Sequence, residues 1–199
     1  MGFVRLRPRP WPAEQNEELR EEYRRKFEEL TRDPEVEIWY QDECGVVGDP
    51  KPAQVMGRKG DRPIVHHTGW HIKESVIGAV RPDDGKFVSL IMPYVDADTF
   101  QIFLDEMSEN IGENKKVIMI LDNAMWHKAR SLDWGRIIPF YLPPYSPDLN
   151  PIERIWLYMK RSFFSLFCAK HIDQLSERLI TALRFFIFNP EVCKSICGG

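Results

Sequence analysis

The 199 residues, 43% hydrophobic and 29% charged, suit one globular domain with an appended arm and are enough to bury a core. No secretory signal and no transmembrane run is read in them, so membrane and secretory classes are set aside. The net charge of −3 does not announce a polyanion binder, yet local patches rather than the total set the field. The residues Arg5, Arg7 and Arg9 alternate with Leu6, Pro8 and Pro10, which reads as an extended basic arm. From Glu14 to Arg32 the chain is charged and helical in pattern, with Leu19, Tyr23, Phe27 and Leu30 on one stripe. At Val36 the pattern changes to strands. Glu37 to Val47 is the first. Ile72 to Val80 and Lys86 to Val95 form a pair joined by the turn Pro82–Lys86. Asp98 to Ile111 has helical spacing, and Val117 to Leu121 is a short buried strand. Ile137 to Leu142 is a further strand, where Pro139 predicts an edge or bulge. A helix with Ile152, Ile155, Trp156, Met159 and Phe163 on its buried face follows, and a last helix runs from Ile172 to Phe188. This order predicts an α/β fold with a mixed sheet.

Three segments carry candidate chemistry. Asp42 follows two largely apolar residues on one face of the first strand, and Asp122 ends an apolar strand. A carboxylate in either place is costly unless it is paired or coordinates a cation. Either one alone is more often a turn or capping residue than a catalytic one. The stiff segment Leu142–Pro151 runs straight into a helix whose first turn carries Glu153. Asn150 suits the N-cap, Pro151 the first helical position and Glu153 the third, a capping-box arrangement that also aims a carboxylate along the helix N-terminus. Two strand aspartates and one helix glutamate match Mg²⁺ or Mn²⁺, since oxygen ligands suit such ions and a two-ion site needs no nucleophilic side chain. No nucleophile elbow, P-loop or dinucleotide-binding glycine pattern is present.

Together these motifs resemble the catalytic domain of Tc/mariner-like transposases, in their bacterial insertion-sequence branch. The resemblance rests on Asp42-Glu43, on Leu121-Asp122-Asn123-Ala124 with His127, and on Leu142-Pro143-Pro144-Tyr145-Ser146-Pro147-Asp148-Leu149-Asn150-Pro151-Ile152-Glu153 with Trp156. It implies a ribonuclease-H-like fold over residues 34–199, with residues 1–33 as an arm and helix following an absent helix-turn-helix region. It implies Asp42, Asp122 and Glu153 as the catalytic and metal-binding triad for two Mg²⁺ or Mn²⁺ ions. Glu43, Asn123, His127 and Asn150 would orient ligands or phosphate. For His127, a structural hydrogen-bonded histidine is an equal reading. Contacts with DNA would come from Arg5, Arg7, Arg9, Lys128, Arg130, Arg154, Lys160 and Arg161, against the ordinary reading of a solvated surface. The implied partners are transposon-end and target DNA, a second copy of the chain and a separate helix-turn-helix product; the implied location is cytoplasmic and nucleoid-associated. Two other functions compete: a catalytically silent regulatory subunit, and a stand-alone nuclease for RNA–DNA hybrids. The histidines His66, His67 and His71 read as solvent-exposed rather than as a metal cluster, because their spacing in a loop does not put them on one face.

Overall fold

A computed structural model describes residues 14–49, 58–62, 64–69, 72–111 and 115–198. Arg5, Arg7, Arg9 and His71 lie outside them. His66 and His67 are exposed.

Among the described residues the elements run in the order α1 (Glu17–Leu30), β1 (Val36–Val47), β2 (Lys73–Arg81), β3 (Lys86–Met92), α2 (Ala97–Asn110), β4 (Lys116–Leu121), β5 (Ile137–Tyr141), α3 (Ile152–Phe163), α4 (Ile172–Phe188) and α5 (Pro190–Cys197). The five strands form one sheet in the order β3-β2-β1-β4-β5. The first three are antiparallel neighbours, whereas β4 runs parallel to β1 and β5 parallel to β4. This is the mixed sheet flanked by helices that the sequence predicts. β5 is an edge strand, so Pro139, which cannot donate to a ladder, sits where it costs least.

Helices cover both faces because alternate residues of the central strands are apolar on both sides. On one face, Cys44, Val46, Val76 and Val80 pack against Ile152, Ile155, Trp156 and Met159 of α3, with Leu179 and Phe186 of α4 and Cys193 of α5 behind them. On the other, Trp39, Ile77, Ala79 and Met119 pack against Phe100, Phe103, Leu104 and Met107 of α2. The start of α2 is fixed by a capping box. The Asp96 side chain accepts from the Thr99 backbone N–H, and the Thr99 hydroxyl accepts from that of Asp96.

The first helix lies against the β5 side. Tyr23 stacks on Phe140 at 4.9 Å between ring centroids, and Phe27 and Leu30 pack nearby. Leu19, counted in the apolar stripe, is instead exposed, and the buried residue beside it is Arg20. The C-terminal α5 was not read in the sequence. It opens on Pro190 and rests on the β2–β3 turn, where Gly85 has φ +76° and faces the Pro190 carbonyl.

Candidate active site

The parallel pairing of β1 with β4 brings two acids together. The pairing runs to Tyr40 opposite Ile120, and its register, carried two residues further, sets Asp42 level with Asp122. The segment Leu142–Asn150 then crosses the strand ends and delivers Glu153 at the first turn of α3. Asp42, Asp122 and Glu153 line one open cleft of about 470 Å³, together with Asn123, Ala124, Pro143–Pro147 and Asn150. The three acids that the sequence singled out therefore face a common space. Among the described residues, no three His, Cys, Asp or Glu side chains yet converge closely enough to hold an ion.

The electrostatics differ at each acid. Burial pushes the Asp42 carboxyl up to about 8, and the nearby Glu153, Glu43 and Asp122 charges push the same way. Its Oδ2 accepts from Trp156 Nε1 at 3.1 Å. Glu153 is raised as well, again by burial, with Lys160 opposing. Asp122 is lowered, chiefly by its hydrogen bond from His127. Its Oδ1 lies 3.0 Å from His127 Nδ1 and accepts from the Ala124 N–H at 2.8 Å. The cleft thus concentrates negative charge that only part of the protein offsets.

His127 is 1% exposed and bridges two carboxylates. Its Nε2 stands 2.9 Å from Glu43 Oε1, on the far side from Asp122. Burial alone would lower the imidazole, but the hydrogen bonds with Asp122 and Glu43 win and raise it to about 9. Glu43 Oε1 also accepts from Gln41 Nε2 at 3.1 Å and Trp126 Nε1 at 3.3 Å. Adjacent residues of β1 consequently serve opposite faces. Asp42 lines the cleft beside α3, and Glu43 anchors the histidine on the α2 side.

Asn150 corrects the expected cap. The helix begins at Ile152, one residue later than read, and no side chain caps it. Asn150, 4% exposed, instead donates from Nδ2 to the Gln41 carbonyl at 2.9 Å. Its own N–H is taken by the Pro147 carbonyl at 2.9 Å. The reciprocal capping box is therefore not formed, and Glu153 is left facing the cleft. The Asn150–Gln41 bond ties the start of α3 to the strand that carries Asp42. Asn123 plays a similar part: Nδ2 donates to the Leu142 carbonyl, and Oδ1 accepts from Lys128 Nζ at 2.7 Å.

The basic candidates separate by their partners. Lys128, besides bonding Asn123, lies 5.0 Å over the Tyr141 ring. Arg154 donates to the Cys197 carbonyl at 3.0 Å, which fixes the last turn of α5. Lys160 lies close enough to Glu153 and Cys44 to bias both. Arg130 and Arg161 are exposed. Two features escaped the sequence reading. Trp156, on the buried face that the sequence predicts for its helix, has its N–H on a candidate catalytic carboxylate. Arg20, on a helix that looked solvated, binds the turn before Glu153. A polar handle on a buried indole was a usable signal for the first; nothing local marked the second.

The comparisons agree with this geometry. The chain is 32% identical to the uncharacterized protein y4pE/y4sA of Sinorhizobium fredii over 122 residues, which cover 61% of this chain and 90% of the relative. It is 27% identical to the insertion element IS630 uncharacterized 39 kDa protein of Shigella sonnei over 124 residues, 60% of this chain but only 36% of that relative. Among solved structures, the Mos1 transposase paired-end complex with left transposon end matches all of this chain and 68% of that one, with a TM-score of 0.69 at 18% identity. The fold is thus the ribonuclease-H-like fold of that transposase's catalytic domain. Mos1 paired-end complexes with Mn and with Mg match similarly, at TM-scores of 0.69 and 0.66 and identities of 18% and 19%. The family profile of the DDE superfamily endonucleases matches residues 37–176, a span that includes all three acids of the cleft, and the chain belongs to that family.

Proposed function

We propose that this chain is the catalytic unit of an insertion-sequence transposase of the Tc/mariner type, cleaving DNA phosphodiesters and joining the freed 3′-hydroxyl to target DNA. The observation that carries the reading is the cleft shared by Asp42, Asp122 and Glu153, two on neighbouring parallel strands and one on a helix tied to the first strand. The donor set fits divalent cations of the Mg²⁺ or Mn²⁺ kind. All three candidate ligands are carboxylates, and Asp42, raised first by burial and then by the charges of Glu153, Glu43 and Asp122, carries a repulsion that a cation would offset.

When bound there, one or two such ions would activate water or a 3′-hydroxyl and stabilise the leaving oxygen. The chain's residues do the rest. Asp42 and Asp122 hold the position between the strand ends, and Glu153 closes the set from α3. His127 keeps Asp122 turned by holding its Oδ1, and Glu43 keeps the imidazole in place. The Pro143–Pro147 wall limits where a phosphodiester can lie. Lys128, Arg130, Lys160 and Arg161 are placed near the cleft by sequence and supply phosphate contacts whose strength falls with salt. Residues 1–33 act as an arm and residues 34–199 as the catalytic domain. Two copies acting on two DNA ends, with a helix-turn-helix region supplying end recognition, complete the proposal. No described helix is long and apolar enough to cross a membrane.

Nicking of supercoiled DNA in Mg²⁺ and in Mn²⁺ tests it, comparing wild type with Asp42→Ala, Asp122→Ala and Glu153→Ala. Metal-dependent nicking that each substitution removes is expected. Nicking retained in Asp122→Ala defeats the assignment, and cleavage confined to an RNA–DNA hybrid points to a host nuclease instead.

A further inference from the structure

The β1–β2 pair contains a gap that a helix fills. Asp42 and Gly78 are direct partners across this antiparallel pair, so their side-chain positions lie on one face of the sheet. Gly78 leaves its position empty. A Cβ there would come within 2.7 Å of Trp156 Cη2 and 3.1 Å of Cζ2. Trp156 stands one helical turn after Glu153 on α3, is 2% exposed, and packs edge-on against Phe87 at 5.9 Å. From the slot over Gly78 its Nε1 donates to Asp42 Oδ2. An indole N–H is a donor only and cannot rotate independently of its ring, so a ring held on two sides fixes the direction of the bond.

We infer that Trp156 is a positioning residue for Asp42: its N–H, seated in the slot left by Gly78, holds one carboxylate oxygen and leaves the other for a divalent cation in the cleft. The inference rests on the reading of Asp42 as a cation ligand. Core packing accounts for the burial of the ring, and Phe would satisfy it equally; the bond to Asp42 needs the N–H. Because Trp156 and Glu153 share one helix, the same rigid element orients the first acid and presents the third. Supporting bonds of this kind, one step removed from the metal, are worth about 10–100-fold in affinity at other metal sites.

The test is Mn²⁺ binding to the full chain, read from the free-ion electron paramagnetic resonance signal, with circular dichroism to verify folding. Trp156→Phe, which keeps the ring, is expected to weaken binding by about 10-fold. Gly78→Ala, which pushes the intact indole from its slot, should weaken it comparably, and it carries the test if Trp156→Phe does not fold. Phe186→Leu thins the same core one ring further back, behind Phe87, leaves the seat of the indole intact and should bind like wild type. Asp42→Ala should lose the site. Wild-type binding by a folded Trp156→Phe, with Asp42→Ala defective, overturns the positioning role alone. An equal loss in Phe186→Leu and Trp156→Phe also overturns it, assigning the indole to packing. Wild-type binding by Asp42→Ala defeats the reading of the site itself.

Discussion

Arg20 and Asp148 are joined by two parallel hydrogen bonds, Nη1 to Oδ1 at 3.1 Å and Nη2 to Oδ2 at 2.8 Å. Nη1 also donates to the Ser146 hydroxyl at 2.9 Å. Arg20 is 4% exposed, whereas Asp148 is reached by water, so the pair is shielded from the guanidinium side only. The fork-to-fork geometry is the strong form of this contact. It fastens α1 to the middle of the proline-rich turn that aims Glu153.

Arg20→Ala removes the bonds to Asp148 and Ser146 but leaves a carboxylate that water can reach, and it is expected to cost about 1–3 kcal/mol of stability. Urea denaturation measures the loss, and hydrogen exchange should show α1 and residues 144–150 opening together. Arg20→Lys should recover little, because an ammonium cannot form the fork.

His127 joins Asp122 to Glu43 through both ring nitrogens, and its removal takes the shared partner from two carboxylates at once, leaving Ala124 to donate to the first and Gln41 and Trp126 to the second. His127→Ala is expected to destabilise the chain by about 2–4 kcal/mol. A double-mutant cycle with Glu43→Gln should give a coupling well above 0.5 kcal/mol, the usual limit for independent sites.

The pH response of the metal-free chain follows from Asp42. Its carboxyl is raised from 3.8 to about 8, mainly by burial and then by Glu153 and Glu43. Between those values the folded state holds a proton that the unfolded chain has released. Stability therefore falls as pH rises from about 4 to about 8, and the full cost is present above that. Asp42→Asn should raise the melting temperature by about 3 °C or more at pH 8.5 and leave it nearly unchanged at pH 4. Calorimetry in chelator at the two pH values checks the sign.

Gly85 couples the hairpin to the C-terminal helix. Its φ is +76°, and an added Cβ would meet the Pro190 carbonyl oxygen at 1.8 Å. Gly85→Ala should cost at least about 2 kcal/mol, through both strain and displacement of α5. The comparison Gly135→Ala shares a positive φ but meets nothing within 4 Å, and should cost less than half as much in the same denaturation experiment.

The strands and long helices were legible because their apolar residues recur with clear periods, and the three acids because Asp42 follows apolar neighbours on one strand face, Asp122 follows the end of a strand and Glu153 opens a helix. What the periods could not reveal was pairing. Nothing near Asp42 states that its strand lies parallel to the one ending at Asp122. The one-residue shift at α3 has the same origin: Asn150 has the right chemistry for a cap, but the Gln41 carbonyl, 109 positions away, takes its amide. Arg20 sits among so many charges that its burial has no local signature. The helix α5 is only 8 residues long, too short for its spacing to stand out.

Neighbouring positions Asp42 and Glu43 serve opposite sides of one strand, and this makes the gene sensitive to length as well as to identity. Loss or gain of a single codon between Val36 and Gln41 would exchange their outlooks, turning the glutamate toward α3 and the aspartate toward the histidine. Every acid would still be encoded, and a motif search would still find all three. A two-codon change would restore the facing but carry the first acid about 7 Å along the sheet, away from its partner on β4. Drift among related elements should therefore include substitutions in this strand far more often than insertions or deletions.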